Sequence, residues 1–397
     1  MAATATAEGE EMMQLPVAAV PLMMDDEEVA KSVPSTSPTA NGGAGSGRGV
    51  SDGVAEADAA SGDAGGTAIE GGEGAMGEPS TSTLEVEVKA KGSAKEGVKR
   101  RYESWPGNET FFCGGACVTG PYYWGIVGTC LLILIPCVVF VVFVAWPLYE
   151  DLRDSDSGGG SKEIGAYVLL AVSIALPCLS LSSLFCSGCM DPGIIPRAPA
   201  PLGNTDHIAR TRHVEVNGHM VLVRYNDTCN FYQPPRAHHC SVLNDCIERF
   251  DHYCPWVGTT IGKRNYRFYL IFVFSCTVLC VFTFACSAYL VKIRSDDPDT
   301  SVGEAIRGEP GALFMMTYVF IGIWFVGGLS GFHIYLLSRN QTTYENIRYS
   351  YDRNSANPYN KGCLANWAEV FCVRVPARNC DFTEVMPEKE ENPTAAL

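Results

Sequence analysis

Four long apolar segments, separated by short charged connections, dominate the second part of the chain. They cover residues 122–148, 164–187, 268–291 and 313–337 and are almost free of charge. A helix of about 20 apolar residues crosses the ~30 Å hydrocarbon core of a bilayer. The pattern therefore predicts an all-α, multi-pass integral membrane protein with four transmembrane helices in the lipid bilayer.

The charges between these segments predict how the protein is oriented. Basic residues precede the first segment (Lys95, Lys99, Arg100 and Arg101) and follow the fourth (Arg339, Arg348, Arg353 and Lys361). The connection 188–267 is also rich in arginine, whereas 149–163 and 292–312 are acidic on balance. Because lysine and arginine are enriched in cytosolic loops, we expect both termini and residues 188–267 to be cytosolic.

Residues 1–97 have a different composition from the rest. They are rich in Ala, Gly, Ser and Glu, and residues 1–90 hold 16 acidic and 3 basic side chains, most of the net charge of −15. Such a segment buries too little apolar surface to fold, so we predict a disordered acidic tail. In these residues no basic segment is followed by an apolar one, so a cleaved signal peptide is not expected. Ala2 does not fit N-myristoylation. The acidic balance argues against binding of nucleic acid. A cytosolic pre-membrane segment, 98–121, follows the tail.

Candidate chemistry is concentrated between the second and third apolar segments. Cysteines and histidines crowd into about 25 residues, from Cys229 to Cys254, and Cys254 lies fourteen residues before the third segment. A cysteine needs a neighbouring base or cation to become a nucleophile. His252 is the candidate base, and Asp251 is the candidate group that orients its imidazole. A small structural zinc ribbon explains the same spacing about as well.

The motifs of this region resemble the cysteine-rich domain of the DHHC protein S-acyltransferases. The resemblance rests on residues 234–240 (PPRAHHC), Cys246, 249–256 (RFDHYCPW), Gly262 and 265–268 (NYRF). Further motifs of that family occur outside it, at 191–193 (DPG), 342–345 (TTYE) and 357–359 (NPY) with Asn366 and Trp367. The resemblance covers roughly residues 100–375 and implies a cytosolic Cys/His-rich β-hairpin module of the zinc type within 188–267, with a cytosolic C-terminal segment, 338–397.

The resemblance also implies roles for individual residues. Cys254 would be the nucleophile, His252 the base and Asp251 the orienting carboxylate. Thr343 would pack against Asp251, and Asn366 would have a structural role. The implied reaction takes a long-chain acyl group from acyl-CoA, palmitoyl-CoA foremost, onto Cys254 and then onto a cysteine of a substrate protein. The four helices would enclose the acyl chain. Basic residues near the interface would either meet the CoA phosphates or anchor the protein: Arg249, Lys263, Arg264 and Arg267.

The chain departs from the resembled family at the metal ligands. The family binds two zinc ions, and here the first site keeps Cys229, His239 and Cys246, with Asn226 in place of the leading cysteine. Asp227 or a water molecule would have to complete the tetrahedron. The second site keeps only Cys240, since Leu243, Tyr253 and Thr260 replace the other ligands. We therefore predict zinc at one incomplete site, and packing by Leu243, Phe250 and Tyr253 at the other.

Two other functions fit parts of the pattern. A catalytically weak or silent membrane scaffold of the same family is suggested by the missing ligands, and a transporter would require more polar residues at mid-membrane. Membrane-associated proteins are the expected substrates. Residues 99–107 and 191–197 resemble the subgroup that acylates Ras-like proteins with a small accessory subunit, and the Golgi or endoplasmic reticulum is the expected compartment. His333 is expected to be a hydrogen-bonded packing residue. Palmitate on the protein itself is expected, if anywhere, at Cys186, Cys189 or Cys363.

Overall fold

The computed structural model describes residues 99–153, 159–200, 207–348 and 357–386. Within these ranges four helices are long and apolar enough to cross a membrane, and we call them spans 1 to 4: Trp124–Arg153, Lys162–Gly188, Tyr266–Ser295 and Pro310–Ser338. They confirm the four predicted helices. The predicted disordered tail, 1–97, lies outside the described residues.

Spans 1 and 3 extend beyond their predicted ends into charged sequence. Arg294, in the last turn of span 3, contacts Asp151 of span 1 at 2.8 Å and Glu309, next to span 4, at 2.9 Å. Hydropathy predicts that a transmembrane helix ends where charged residues begin. Here the helices continue, because oppositely charged side chains of different helices form ion pairs. These ion pairs join three spans at the end of the bundle opposite the Cys/His module.

Apolar residues form the interior of the bundle and also much of its outer surface. Near the charged end, Phe140, Leu148, Leu290 and Met315 belong to a buried cluster to which all four spans contribute. On the outside, large side chains such as Trp324 are exposed, as expected of a surface that faces lipid. Spans 1 and 4 each contain one π-helical segment, Val141–Ala145 and Ile323–Gly327, an irregularity that often marks functional regions.

The module is built from short antiparallel strands. Strands β1 and β2 precede span 1, and the others lie between spans 2 and 3, as predicted for a small β-rich module: β1 (Thr110–Phe112), β2 (Cys117–Thr119), β3 (Ile194–Ile195), β4 (Thr211–Val216), β5 (His219–Asn226), β6 (Phe231–Tyr232), β7 (His238–Cys240), β8 (Asp245–Ile247), β9 (His252–Cys254) and β10 (Thr259–Ile261). They form four small sheets, ordered β1-β2, β3-β8-β7, β4-β5-β6 and β9-β10. Short helices lie outside the spans, at Arg101–Ser104, Val302–Gly308, Thr343–Arg348 and Cys363–Phe371.

Two turns show why the sequence folds into these hairpins. Asn217 and Gly218, between β4 and β5, both have positive φ, as a two-residue hairpin turn requires. Gly258, between β9 and β10, has a φ of +70°, and a Cβ there would lie 2.9 Å from the carbonyl oxygen of Tyr122. A glycine at this position lets the β9-β10 hairpin approach the start of span 1.

Residues 376–386, which we call the C-terminal clasp, pack across the module. The amides of Arg101 and Tyr102 donate to the carbonyls of Glu384 and Phe382 at 2.9 and 3.0 Å. The Phe382 side chain is fully buried. Its ring packs on Trp105 and Phe111, with centroids 4.9 and 5.2 Å apart. The segment before span 1 and the C-terminal segment are thus joined over the module, an association that the sequence did not predict.

Replacing Phe382 with alanine is expected to open the clasp, because truncating a buried phenylalanine costs about 3–5 kcal/mol. Hydrogen exchange of the backbone amides of Arg101 and Tyr102 measures the change, since their acceptors lie in the clasp. Val385→Ala is the matched control, because the Val385 side chain is exposed. Equal exchange in the two variants would contradict the role of Phe382.

Candidate active site

The motif Asp251-His-Tyr-Cys254 lies on the first strand of the β9-β10 hairpin. Cys254 pairs with Thr259, and His252 with Ile261. Because successive side chains of a strand point to opposite faces, His252 and Cys254 share one face and Tyr253 occupies the other. Pro255 lies in the turn of this hairpin, where the amide of Gly258 donates to the carbonyl of Cys254 at 2.9 Å.

Asp251 fixes the orientation of His252. Nδ1 of His252 lies 2.7 Å from Oδ2 of Asp251, so Nδ1 carries the proton and Nε2 is left for Cys254. Thr343 holds the carboxylate from the other side, donating its amide at 2.9 Å and its hydroxyl at 2.8 Å. All three side chains are buried. The structure thus brings together the predicted residues Asp251, His252 and Thr343 with Cys254.

Electrostatics favour an ion pair at this site. Burial lowers the pKa of His252, but its hydrogen bonds with Asp251 and Cys254 outweigh burial and raise that pKa to about 10. Burial likewise raises the pKa of Asp251, but the hydrogen bond from His252 and the amide of Thr343 help to lower it to about 2. Near neutral pH the pair is therefore imidazolium and carboxylate. An imidazolium beside a cysteine favours the nucleophilic thiolate.

The ion pair predicts a pH dependence of stability. The raised pKa of His252 stabilises the folded state fully below the ordinary value of 6.5, and this contribution is lost as pH rises toward about 10. The lowered pKa of Asp251 acts in the opposite range, since its contribution is lost as pH falls from 3.8 toward about 2. We expect the difference in thermal unfolding midpoint between wild type and Asp251→Asn to shrink from pH 6.5 to pH 10. A constant difference would contradict the ion pair.

Aromatic residues of spans 3 and 4 support His252. The ring of Tyr269 meets the imidazole edge-on, with centroids 5.3 Å apart. The hydroxyls of Tyr269 and Tyr266 lie 3.2 and 3.3 Å from the two nitrogens of His333, which is fully buried. His333 is thus the hydrogen-bonded packing residue that was predicted. Its link to His252 through Tyr269 was not predicted, because sequence spacing gives no signal for a contact between two spans.

An apolar cavity of about 460 Å³ begins at Cys254 and runs into the bundle. On span 3 its lining extends from Tyr269 to Thr283, which is about 21 Å at 1.5 Å per residue. Phe140 and Met315 line its deep end. The prediction that all four spans enclose an acyl chain is wrong in one respect: spans 1, 3 and 4 line the cavity, whereas span 2 packs behind span 3.

The TTYE motif is tied to the module by a buried ion pair. Arg236, which precedes β7, donates to both carboxylate oxygens of Glu345, at 2.8 and 2.9 Å. The same guanidinium donates to the side chain and the carbonyl of Asn340, at 3.0 and 3.1 Å. A bidentate arginine–carboxylate pair fixes geometry as well as charge. It therefore holds Thr343 in position against Asp251.

Asn366 organises the segment after span 4, in agreement with its predicted structural role. Its buried side chain donates to the carbonyl of Ser338 and to Oδ1 of Asn360, both at 2.8 Å, and accepts from the amide of Lys361 at 2.9 Å. The indole of the adjacent Trp367 donates to the hydroxyl of Ser338 at 3.1 Å. These contacts connect the helix Cys363–Phe371 to the end of span 4.

A separate group of three side chains is suited to a metal ion. The ligand atoms of Cys229, His239 and Cys246 all lie within 4.8 Å of one another. Nδ1 of His239 is 3.6 Å from the sulfur of Cys229 and 3.8 Å from that of Cys246, close to the ~3.5 Å edge of a tetrahedron with zinc–ligand bonds of about 2.0–2.3 Å. The hydrogen bond with Cys246 lowers the pKa of Cys229, which favours the thiolate that zinc requires.

The fourth ligand does not come from the predicted protein side chain. Asp227 forms an exposed ion pair with Arg210. Asn226, which stands where the resembled family has a cysteine, accepts the amide of Cys229 at 2.8 Å. Among the described residues, three side chains are thus placed to hold a metal ion, and a water molecule is the remaining candidate for the fourth ligand.

Packing replaces the second metal site. Cys240, Leu243, Phe250 and Tyr253 belong to one buried cluster, which also includes Phe382 of the clasp. Thr260 donates to the sulfur of Cys240 at 3.1 Å. The prediction that Leu243, Phe250 and Tyr253 pack here is confirmed, and the contribution of Phe382 from far along the chain was missed.

The four basic residues near the interface have protein partners. Arg249 donates to Asn340, and Lys263 pairs with Glu248. The other two hold the C-terminal segment and its surroundings: Arg264 contacts Asp191 and Pro376, and Arg267 contacts Val370 and Val373. These contacts favour the interpretation as anchors over that as ligands of the CoA phosphates.

Comparison with known proteins agrees with the family resemblance of the motifs. The family model of the DHHC palmitoyltransferases matches residues 220–350. The chain is 41% identical to probable protein S-acyltransferase 6 of Arabidopsis thaliana, over 75% of this chain and 73% of that protein. It is 42% identical to probable protein S-acyltransferase 7 (77% and 70%) and to protein S-acyltransferase 8 (71% and 72%) of the same organism. The chain therefore belongs to the DHHC family of protein S-acyltransferases.

Proposed function

We propose that this protein transfers a long-chain acyl group, palmitoyl foremost, from acyl-CoA through a Cys254 acyl-enzyme to cysteines of membrane-associated proteins. The observation that carries the proposal is the position of Cys254. It shares a strand face with His252, which Asp251 orients, and it lies at the mouth of an apolar cavity between the spans. Nucleophile, base and acyl-chain site thus meet at one residue.

The chemistry consists of two thioester exchanges. In the first, the Cys254 thiolate attacks the carbonyl carbon of acyl-CoA, the carbon–sulfur bond to CoA breaks, and His252 protonates the departing CoA thiolate. In the second, His252 takes the proton of the substrate cysteine, whose sulfur attacks the acyl-enzyme and displaces the Cys254 thiolate. Each step exchanges one thioester for another, so no other energy source is required.

Burial of the acyl chain in the cavity is expected to favour long acyl groups over short ones. Each methylene moved from water into an apolar site contributes about 0.8 kcal/mol, and the cavity lining extends about 21 Å along span 3. Zinc at Cys229, His239 and Cys246 has a structural role in the proposal. It would fix β7, which Arg236 precedes, against β8, which the β9-β10 hairpin follows.

The orientation and partners are further parts of the proposal. The basic residues next to spans 1 and 4 support cytosolic termini and a cytosolic module, with residence in the Golgi or endoplasmic reticulum. Residues 99–107 and 191–197, which resemble the Ras-acylating subgroup, meet at Asp245: Trp105 donates to it at 2.7 Å and Arg197 at 3.1 Å. This junction supports Ras-like substrates and a small accessory subunit as the partners to test first.

The proposal is tested by labelling cells with an alkyne fatty acid. We expect a hydroxylamine-sensitive label on the wild-type protein that Cys254→Ala loses and that the triple variant Cys186→Ala, Cys189→Ala, Cys363→Ala retains. A label that persists in Cys254→Ala would indicate ordinary palmitoylation at another cysteine. An inserted protein without any label would contradict the proposal and favour the catalytically silent scaffold.

A further inference from the structure

The cavity is closed at its deep end but exposed on one side of the bundle. Three residues that line it at mid-depth are also exposed on the outer surface: Leu132 of span 1 by 51%, and Ile321 and Phe325 of span 4 by 66% and 40%. In contrast, the deep lining residues Phe140 and Met315 are exposed by only 2% and 1%. A side chain that both lines a cavity and faces the outside marks the edge of an opening. The cavity therefore opens sideways between spans 1 and 4, and we call this opening the lateral slot.

The lateral slot has a defined upper and lower boundary. Above it, the turn after Cys254 joins the two helices, because Thr129 of span 1 donates to the carbonyl of Trp256 at 2.8 Å and the ring of Trp256 packs on Phe325 at 6.3 Å. Below it, the hydroxyl of Tyr318 in span 4 donates to the carbonyl of Leu132 at 2.8 Å. The two helices are therefore tied together on both sides of the opening.

The opposite wall of the cavity is closed and does not share these features. The span 3 residues that line it, from Tyr269 to Thr283, are buried, except Cys280, which is half-buried. Span 4 also departs from regular α-helix at the slot, where its π segment Ile323–Gly327 includes Phe325.

The occupant of the slot follows from its surroundings. Spans 1 and 4 are surrounded by hydrocarbon at this depth, and Cys254, where an acyl chain would be attached, lies at the cavity mouth. A chain that left the cavity through the mouth would pass its methylenes into water, which is unfavourable for each of them. A chain that left through the slot would pass from one apolar environment into another.

We propose that the acyl chain moves between the bilayer and the cavity through the lateral slot, passing sideways between Leu132 and Ile321. This inference rests on the proposed acyltransferase function. The chain of the donor would enter from the leaflet while the CoA group stays in water. After transfer to the substrate cysteine, the chain would leave sideways and anchor the product directly in the membrane.

Tryptophan substitutions at the slot test this proposal. The substitutions Leu132→Trp and Ile321→Trp would fill the opening. The neighbouring residues Leu131 and Phe320 are also exposed on the outer surface but do not line the cavity. Leu131→Trp and Phe320→Trp are therefore the controls. Purified proteins in lipid nanodiscs receive palmitoyl-CoA, and acyl-enzyme formation at Cys254 is timed. We expect the slot variants to be at least about tenfold slower than the controls, as for a blocked access step.

A second reagent separates blocked access from a damaged site. Iodoacetamide is small and water-soluble, so its reaction with Cys254, followed by peptide mass spectrometry, should proceed at the wild-type rate in every variant. Equal rates in slot and control variants would overturn the slot. A wild-type protein without any acyl-enzyme would instead overturn the proposed function.

Discussion

Replacing Asp251 with asparagine is expected to slow formation of the Cys254 acyl-enzyme by about 10⁴-fold, the loss seen when the orienting aspartate of a Ser-His-Asp set is replaced in the same way. The carboxylate accepts the Nδ1 proton of His252 at 2.7 Å. An asparagine amide would present its NH₂ group to Nδ1 or to Thr343. The imidazole would then carry its proton on Nε2 and could not accept the proton of the Cys254 thiol.

The rate of CoA release by purified protein measures this effect. Asp227→Asn is the matched control, because Asp227 belongs to the same module and forms only an exposed ion pair. The control should react at the wild-type rate. If Asp251→Asn lost less than about tenfold, the carboxylate would not orient the base, and the mechanism drawn from the Asp251–His252 geometry would be wrong.

Replacing Cys246 with alanine is expected to cause the largest loss of stability. A structural zinc contributes of order 10 kcal/mol to the folding of small zinc peptides, and only one such group of ligands occurs among the described residues. Without Cys246 only two protein ligands remain, too few to hold the ion. We expect the variant to lose its zinc and the module to unfold at lower temperature than the spans.

Cys240 provides the control for the metal. It is also buried, but its sulfur accepts from Thr260 within the packed cluster. Metal analysis should therefore find about one zinc per chain in the wild type and in Cys240→Ala, and none in Cys246→Ala. Zinc loss in both variants would show that the second site also holds metal, and a wild type without zinc would show that packing alone holds the module.

The sequence predicted the spans and the grouping of His252 with Cys254 because both signals are local. Long apolar runs identify a membrane helix without knowledge of its neighbours. The two-residue spacing of His252 and Cys254 becomes a shared strand face once β9 forms. The loss of ligands at Leu243 and Tyr253 also pointed correctly to packing, since both side chains are apolar enough to fill the space of a metal site.

What the sequence did not predict depends on contacts between distant segments. Phe382 reaches the module from beyond span 4, and Tyr269 meets His333 across two helices, so neither contact leaves a periodic pattern. Hydropathy likewise gives no information about which spans enclose a cavity. Asp227, one of the two candidates for the fourth metal ligand, was ruled out for a similar reason. It pairs with Arg210 across the β4-β5 hairpin, and short strands of mixed polarity give no clear sequence signal for that hairpin.

In the proposed mechanism Cys254 carries the acyl group, and pre-steady-state burst kinetics test this most directly. Purified wild-type protein in lipid nanodiscs is mixed with excess palmitoyl-CoA in the absence of a substrate protein, and the release of free CoA is followed. We predict a rapid burst of about one CoA per chain, as expected of an acyl-enzyme, with the acyl group located on Cys254 by mass spectrometry. Absence of a burst, or an equal burst from Cys254→Ala, would contradict the account.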